Sequence, residues 1–154
     1  MRLFVCLPLP AEQREHLQRA LVGGRTSDPE QWHITLAFLG DRDDDLAVLD
    51  ALSAVRGRAF DLHLAGSGSF PGVEWAGVAG DLEALSSLAA DVALACRVQQ
   101  AVYRPHVTVA RRGRSALRPD YVGPSWTVSE FALVESHLER PVVHTTVAAF
   151  PLTS

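Results

Sequence analysis

The sequence predicts strands and helices arranged as two related halves, each giving one strand to a shared groove, and two observations carry that expectation. HITLAFLG, beginning at His33, and HVTVARRG, beginning at His106, echo each other 73 residues apart in a chain of 154. Each copy follows a helix-containing segment and precedes a glycine-bearing loop. Composition agrees: 47% hydrophobic and 21% charged residues with a net charge of −4 suit one soluble domain over 1–154. A chain of this length buries roughly 68–70% of its unfolded surface, so it needs no disulfide or structural metal to fold.

Taken in order, residues 2–7 (RLFVCL) read as a strand, and Pro10 opens a helix with Leu17, Ala20 and Leu21 on one face that ends at Gly23-Gly24. After the polar loop 25–31, WHITLAFLG is a strand closed by Gly40. Asp41, Asp43, Asp44 and Asp45 then lead into a second helix, whose N-terminus their charge favours. These aspartates read as caps and solubilising groups, because consecutive carboxylates before a helix seldom converge on one metal ion. Phe60, Leu62 and Leu64 alternate with polar residues ahead of a Gly/Ser/Pro turn, and a partner strand follows around 73–78, which predicts a hairpin with a long loop. Leu82, Leu85, Leu88, Ala89, Val92 and Cys96 recur at helical spacing and predict a helix over 81–96. Three strands complete the chain, one containing PHVTVAR, one over 126–135 and one over 142–150, with a polar loop at 113–124.

All fourteen basic residues are arginines, the better fork for phosphate. Five fall between Arg104 and Arg118 in a chain that is acidic overall. That placement fits recognition of a few phosphates rather than charge-driven binding along a polymer. Arg112, Arg114 and Arg118 read as a solvated loop. The apolar opening from Leu3 to Leu9 is interrupted by Pro8 and runs into Glu12, Arg14 and Glu15, too short for a membrane span or a full signal peptide, so a cytoplasmic protein away from membranes is expected. Cys6 lacks the basic leader of a lipidation box and Cys96 has no CxxC partner; both read as reduced, buried thiols.

The chemistry resides in the two His-x-Thr segments. Side chains in a strand alternate, so His33 and Thr35 share one face while Ile34 and Leu36 take the other. His106 and Thr108 stand in the same relation, with Val107 and Val109 opposite. If the halves are related by approximate two-fold symmetry, the two pairs face each other across a cleft. Opposed imidazoles can hydrolyse a phosphodiester without a metal, one taking a proton from water while the other gives one to the departing oxygen. The threonine hydroxyls can donate to the non-bridging phosphoryl oxygens, where charge builds in the transition state. Arg111 is odd in the strand count from His106, and a bulge or strand end is what would turn it towards the anion. His16, His63, His137 and His144 read as structural or surface residues.

These stretches resemble the two-histidine (2H) phosphoesterase superfamily, in particular the bacterial RNA 2′,3′-cyclic phosphodiesterases also called 2′-5′ RNA ligases. The resemblance runs through RLFVCLPLP, HITLAFLG, FDLHLAGSGSFP, RPHVTVAR and the closing FALVESHLERP followed by FPL, and its specific part is the pair of tetrads beginning at His33 and His106. It implies a bilobal α+β, LigT-like fold, with two antiparallel sheets lining a central groove and helices outside. It implies His33 as proton donor and His106 as proton acceptor in hydrolysis of an RNA 2′,3′-cyclic phosphate to a 2′-phosphate, with Thr35 and Thr108 on the phosphoryl oxygens. Arg111 matches the arginine after the second tetrad, and Phe4 and Phe38 match aromatic positions near the groove that can stack on a base. Departures at SDPEQW, at Glu74 beside Trp75 and at His144, where an aromatic is common, bear on base and chain-length preference.

The expected protein is therefore a monomeric enzyme acting on RNA or nucleotide 2′,3′-cyclic phosphate ends with no cofactor and no metal. Rival readings are a phosphodiesterase of small cyclic nucleotides or 2′-5′ linked oligonucleotides, a reverse 2′-5′ ligation, and a non-catalytic RNA-end binding module. A metal site built from His33, His106 and a carboxylate lacks HxH or HExxH spacing. The sequence assigns no role to Arg104, Arg112 or His144.

Overall fold

Burial along the first strand shows how the sheets are built. Leu3, Val5 and Leu7 turn to one side and Phe4 and Cys6 to the other, and all five are buried, which suits a strand covered on both faces. The structure, a computed structural model, describes residues 1–23, 25–100, 102–111, 116–138 and 142–154. In chain order its elements are β1 (Arg2–Pro8), α1 (Ala11–Ala20), a 3-10 turn (Pro29–Gln31), β2 (His33–Asp41), α2 (Asp45–Ser53), β3 (Phe60–Phe70), β4 (Val73–Gly80), α3 (Leu82–Ala95), β5 (His106–Arg111), β6 (Trp126–Val128), β7 (Glu130–His137) and β8 (Val143–Pro151).

Two four-stranded antiparallel sheets result, in the orders β2-β1-β7-β8 and β5-β4-β3-β6. This is the two-lobed α+β architecture that the family resemblance implies. One core joins the sheets, with Leu3, Ile34, Leu36, Leu62, Val107, Val109 and Phe131 among its members. The apolar stripe of α3 (Leu85, Leu88, Ala89, Val92) is buried, and the helix lies against β2 and β3. Cys6 and Cys96 are free and buried. Among the described residues no helix is long and apolar enough to cross a membrane.

Four elements differ from the sequence reading, each for a local reason. The helix from Pro10 ends at Ala20, because Val22 leaves it to exchange both backbone hydrogen bonds with Ala116, at 2.9 and 2.7 Å. Asp44 stands at the N-cap of α2 without capping it; both its oxygens are held by the Arg42 fork at 2.7 and 2.8 Å, and that fork keeps its carboxyl below the ordinary value. The hairpin loop is short: β3 continues through the Gly/Ser stretch to Phe70, and Pro71-Gly72 turn the chain with Gly72 at φ +89°. The expected strand over 126–135 is two strands in different sheets, divided at Ser129, whose carbonyl accepts from the Leu152 N–H at 2.8 Å.

Candidate active site

The two histidine-bearing strands, β2 and β5, are edge strands of their sheets, and they approach each other between the lobes. Both carry the same irregularity. In β2, Thr35 opposes Cys6 and Ala37 opposes Val5, so Leu36 is unpaired; in β5, Thr108 opposes Trp75 and Ala110 opposes Glu74, so Val109 is unpaired. Each bulge buries two successive residues, Leu36-Ala37 and Val109-Ala110. The next residue thereby returns to the face of the histidine and threonine, which makes Phe38 and Arg111 equivalent positions. Donors from outside the sheets reach the carbonyls at these bulges. Tyr103 Oη donates to the Thr35 carbonyl at 2.7 Å and Gln100 Nε2 to that of Leu36. On β5 the Ser27 N–H and Oγ both donate to the Val109 carbonyl, at 2.9 and 3.1 Å.

Between the strands lies an open cavity of about 380 Å³ lined by His33, Thr35, His106 and Thr108, together with Arg2, Leu3, Phe4, Phe38, Gly40, Ser136 and His144. The sequence-predicted quartet is thus brought to one place. The two imidazoles are held alike. His33 Nδ1 donates to the Gln31 carbonyl at 2.7 Å, and His106 Nδ1 to the Arg104 carbonyl at 2.8 Å. A carbonyl only accepts, so the proton sits on Nδ1, and Nε2 is the atom left for proton exchange in each ring. Both rings also have aromatic walls. Phe4 lies 4.8 Å from His33, while Phe70 and Trp75 lie 5.2 and 6.3 Å from His106.

Burial pushes His33 down to about 4, against the support of the Gln31 carbonyl, and the neighbouring His144 and His106 act in the same downward sense. Because the folded value lies below the unfolded one of about 6.5, the unfolded chain binds more protons between them. Stability from this group is therefore fully present above about 6.5 and is lost as pH falls through the folded value of about 4. NMR titration of the ligand-free protein is expected to show His33 titrating near 4, and replacing His33 by Phe is expected to flatten the stability slope between that point and neutrality.

Phe38 is 73% exposed at the rim, whereas Phe4 is 5% exposed and forms floor beneath His33 and His144. Arg111 regains the face of His106 and Thr108 through the bulge but does not line the central cavity; it lines a separate cleft with Arg25, Thr26 and Ser27. Arg104 lines a further cleft beside Phe38, Phe70 and His106. Arg112 and Arg114 lie outside the described residues, and exposed Arg118 pairs with Asp120 at 3.4 Å. Three polar groove residues lie outside the predicted site: Arg2, Ser136 and His144, the last read from the residues as structural or surface. Strand parity is a signal for Arg2, which shares the Phe4 face of β1, whereas Ser136 and His144 are ladder partners whose register neither strand alone reveals. His16 packs on Tyr121 with its Nδ1 2.7 Å from the phenol oxygen, and His137 meets Thr145, both away from the cavity. Among the described residues no three His, Cys, Asp or Glu side chains are grouped to hold a metal ion.

A family model for the 2′-5′ RNA ligase superfamily matches residues 8–140 of this chain. The chain belongs to that superfamily. Among 2′-5′ RNA ligase superfamily relatives, it is 32% identical to the RNA 2′,3′-cyclic phosphodiesterase of Geobacillus stearothermophilus over 97% of this chain, which spans 56% of that protein. It is 33% identical to the Thermus thermophilus protein of the same name, over 99% of this chain and 90% of the relative. The crystal structure of Escherichia coli LigT complexed with ATP superimposes with a TM-score of 0.85 at 28% identity, covering 99% of this chain and 98% of that one. The superfamily fold and the two lobes described above are thus the same architecture.

Proposed function

We propose that this chain, read as one domain over 1–154 with a His-x-Thr segment from each lobe, hydrolyses RNA 2′,3′-cyclic phosphate ends to 2′-phosphates. The observation that carries the reading is the pair of Nδ1-anchored imidazoles, each with a threonine beside it, lining one open cavity. Relatives named RNA 2′,3′-cyclic phosphodiesterase support it. In the proposed step His106 Nε2 takes a proton from water as its oxygen bonds to phosphorus. The bond from phosphorus to the 3′-oxygen breaks, and that oxygen receives the proton held on His33 Nε2. The hydroxyls of Thr35 and Thr108 donate to the non-bridging oxygens as their charge grows.

Burial leaves His33 neutral in the empty groove, so its donor role requires the proton to arrive with the substrate. The cyclic phosphate supplies the reason, because a monoanion beside the ring raises its proton affinity. Phe38 at the rim is the candidate stacking platform for a base. All of this machinery comes from one chain, so the reading needs no second copy. Incubation of the protein with an oligonucleotide ending in a 2′,3′-cyclic phosphate is expected to yield the 2′-phosphate, at an undiminished rate in excess EDTA. Binding without turnover, or a 3′-phosphate product, would count against it.

A further inference from the structure

A third imidazole enters the groove from β8. His144 lines the cavity with His33 and His106, its ring 5.5 Å from that of His33 and 5.0 Å from Phe4, edge-on to both. Its bonding differs from theirs. The other two commit Nδ1 to a backbone carbonyl, whereas neither nitrogen of His144 has a hydrogen-bond partner among the described residues. The ring therefore offers a donor and an acceptor to whatever occupies the groove.

Its charged surroundings are few. Titratable or charged side chains reach the same space from β2 (His33), β5 (His106) and β1 (Arg2), and Asp28 lines the adjoining stretch with Gln31. The Asp28 carboxylate already accepts from the Glu30 N–H and from Gln31 Nε2. Glu135 and His137 flank Ser136, the partner of His144 in the ladder, and so point to the opposite face of the sheet. A protonated His144 thus has cations or neutral rings around it and one carboxylate, Asp28, whose oxygens are already engaged. An anion is the class of ligand that such a ring suits.

We propose that His144 is a phosphate-binding residue that reads ligand charge, donating to a phosphomonoester dianion and favouring a bound 2′-phosphate over the cyclic diester. The proposal rests on the phosphodiesterase reading and deepens it. A cyclic diester carries one negative charge, while a monoester takes a second near pH ~6, and each added charge favours the imidazolium. Burial holds His144 below its ordinary value and so disfavours the charged ring in the empty groove, and a bound dianion acts in the opposite sense. Product is then held more firmly at acidic pH and released as pH rises.

The test measures binding of inorganic phosphate and of a nucleoside 2′-monophosphate by calorimetry across pH 6–8, for wild type, H144F and H144Q. A charge-assisted hydrogen bond corresponds to about tenfold or more in affinity. Both variants are expected to bind these probes about tenfold more weakly at pH 6, with a shallower pH dependence, and to lose more affinity for the monoester than KM for the cyclic diester changes. Wild-type affinity and an unchanged pH slope in either folded variant would overturn the proposal. Binding is read without turnover, so an inert cyclic substrate would count against the phosphodiesterase reading while the His144 result still stands or falls separately.

Discussion

Replacing His33 or His106 by alanine is expected to lower kcat for the cyclic phosphate by ~10³–10⁴ while leaving thermal unfolding cooperative. Each ring is anchored at Nδ1 by a carbonyl two residues upstream and keeps Nε2 open for proton exchange, so truncation removes the proposed transfer and, besides that bond, only ring contacts with the groove's aromatic walls. The two losses are not independent, because both transfers serve one displacement, and the double variant is expected to fall well short of their product. Leaving-group chemistry separates the roles. A substrate in which sulfur replaces the bridging 3′-oxygen departs as a stable thiolate and needs no acid. Such a substrate is expected to restore much of the activity of H33A and little of H106A; the opposite pattern would exchange the two assignments, which the low proton affinity of His33 in the empty site makes the natural competing order.

The second large effect is structural. Gly77 pairs opposite His106 in the β4–β5 ladder, and a Cβ there would lie 2.3 Å from the carbonyl oxygen of Ala65 on β3. That oxygen belongs to backbone and cannot swing away, so the strands must part. Gly77→Ala is expected to destabilise the protein by roughly 3 kcal/mol in urea unfolding and to cost activity through the displaced His106 strand. Gly40→Ala is the contrast. Its φ is +71° but no atom lies within 4 Å of the added carbon, so only the conformational penalty of about 1–2 kcal/mol is expected. Equal costs at the two positions would contradict this account of the sheet.

Strand parity explains what was legible in the sequence. His33 with Thr35, and His106 with Thr108, share a face because alternation holds over two residues, and the echo between HITLAF and HVTVAR signalled that both strands were built alike. Alternation then fails at Leu36-Ala37 and Val109-Ala110, since a bulge depends on the partner strand's register and not on the local pattern. Arg111 shows the consequence: it comes back to the groove-side face, as a bulge would require, yet sits beyond the cavity beside Arg25 and Ser27. The division at Ser129 was hidden for a similar reason. Buried Val128 and Phe131 stand on either side of Ser129-Glu130, a polar pair with no Gly or Pro turn signal, and the ladders of two different sheets separate the strands. His144 was the costliest miss, because its place beside His33 depends on β7 and β1 lying between their strands.

The measurement that bears most directly on the account is an NMR titration of the protein with a nucleoside 2′-monophosphate, following the imidazole signals of His33 and His106. One ligand per chain is expected to shift both together, raising the proton affinity of His33 from its ligand-free value near 4, while His16 and His63 stay unmoved. A ligand that perturbs only one of the two rings, or saturates them at separate stoichiometries, would contradict the claim that both act on a single phosphate.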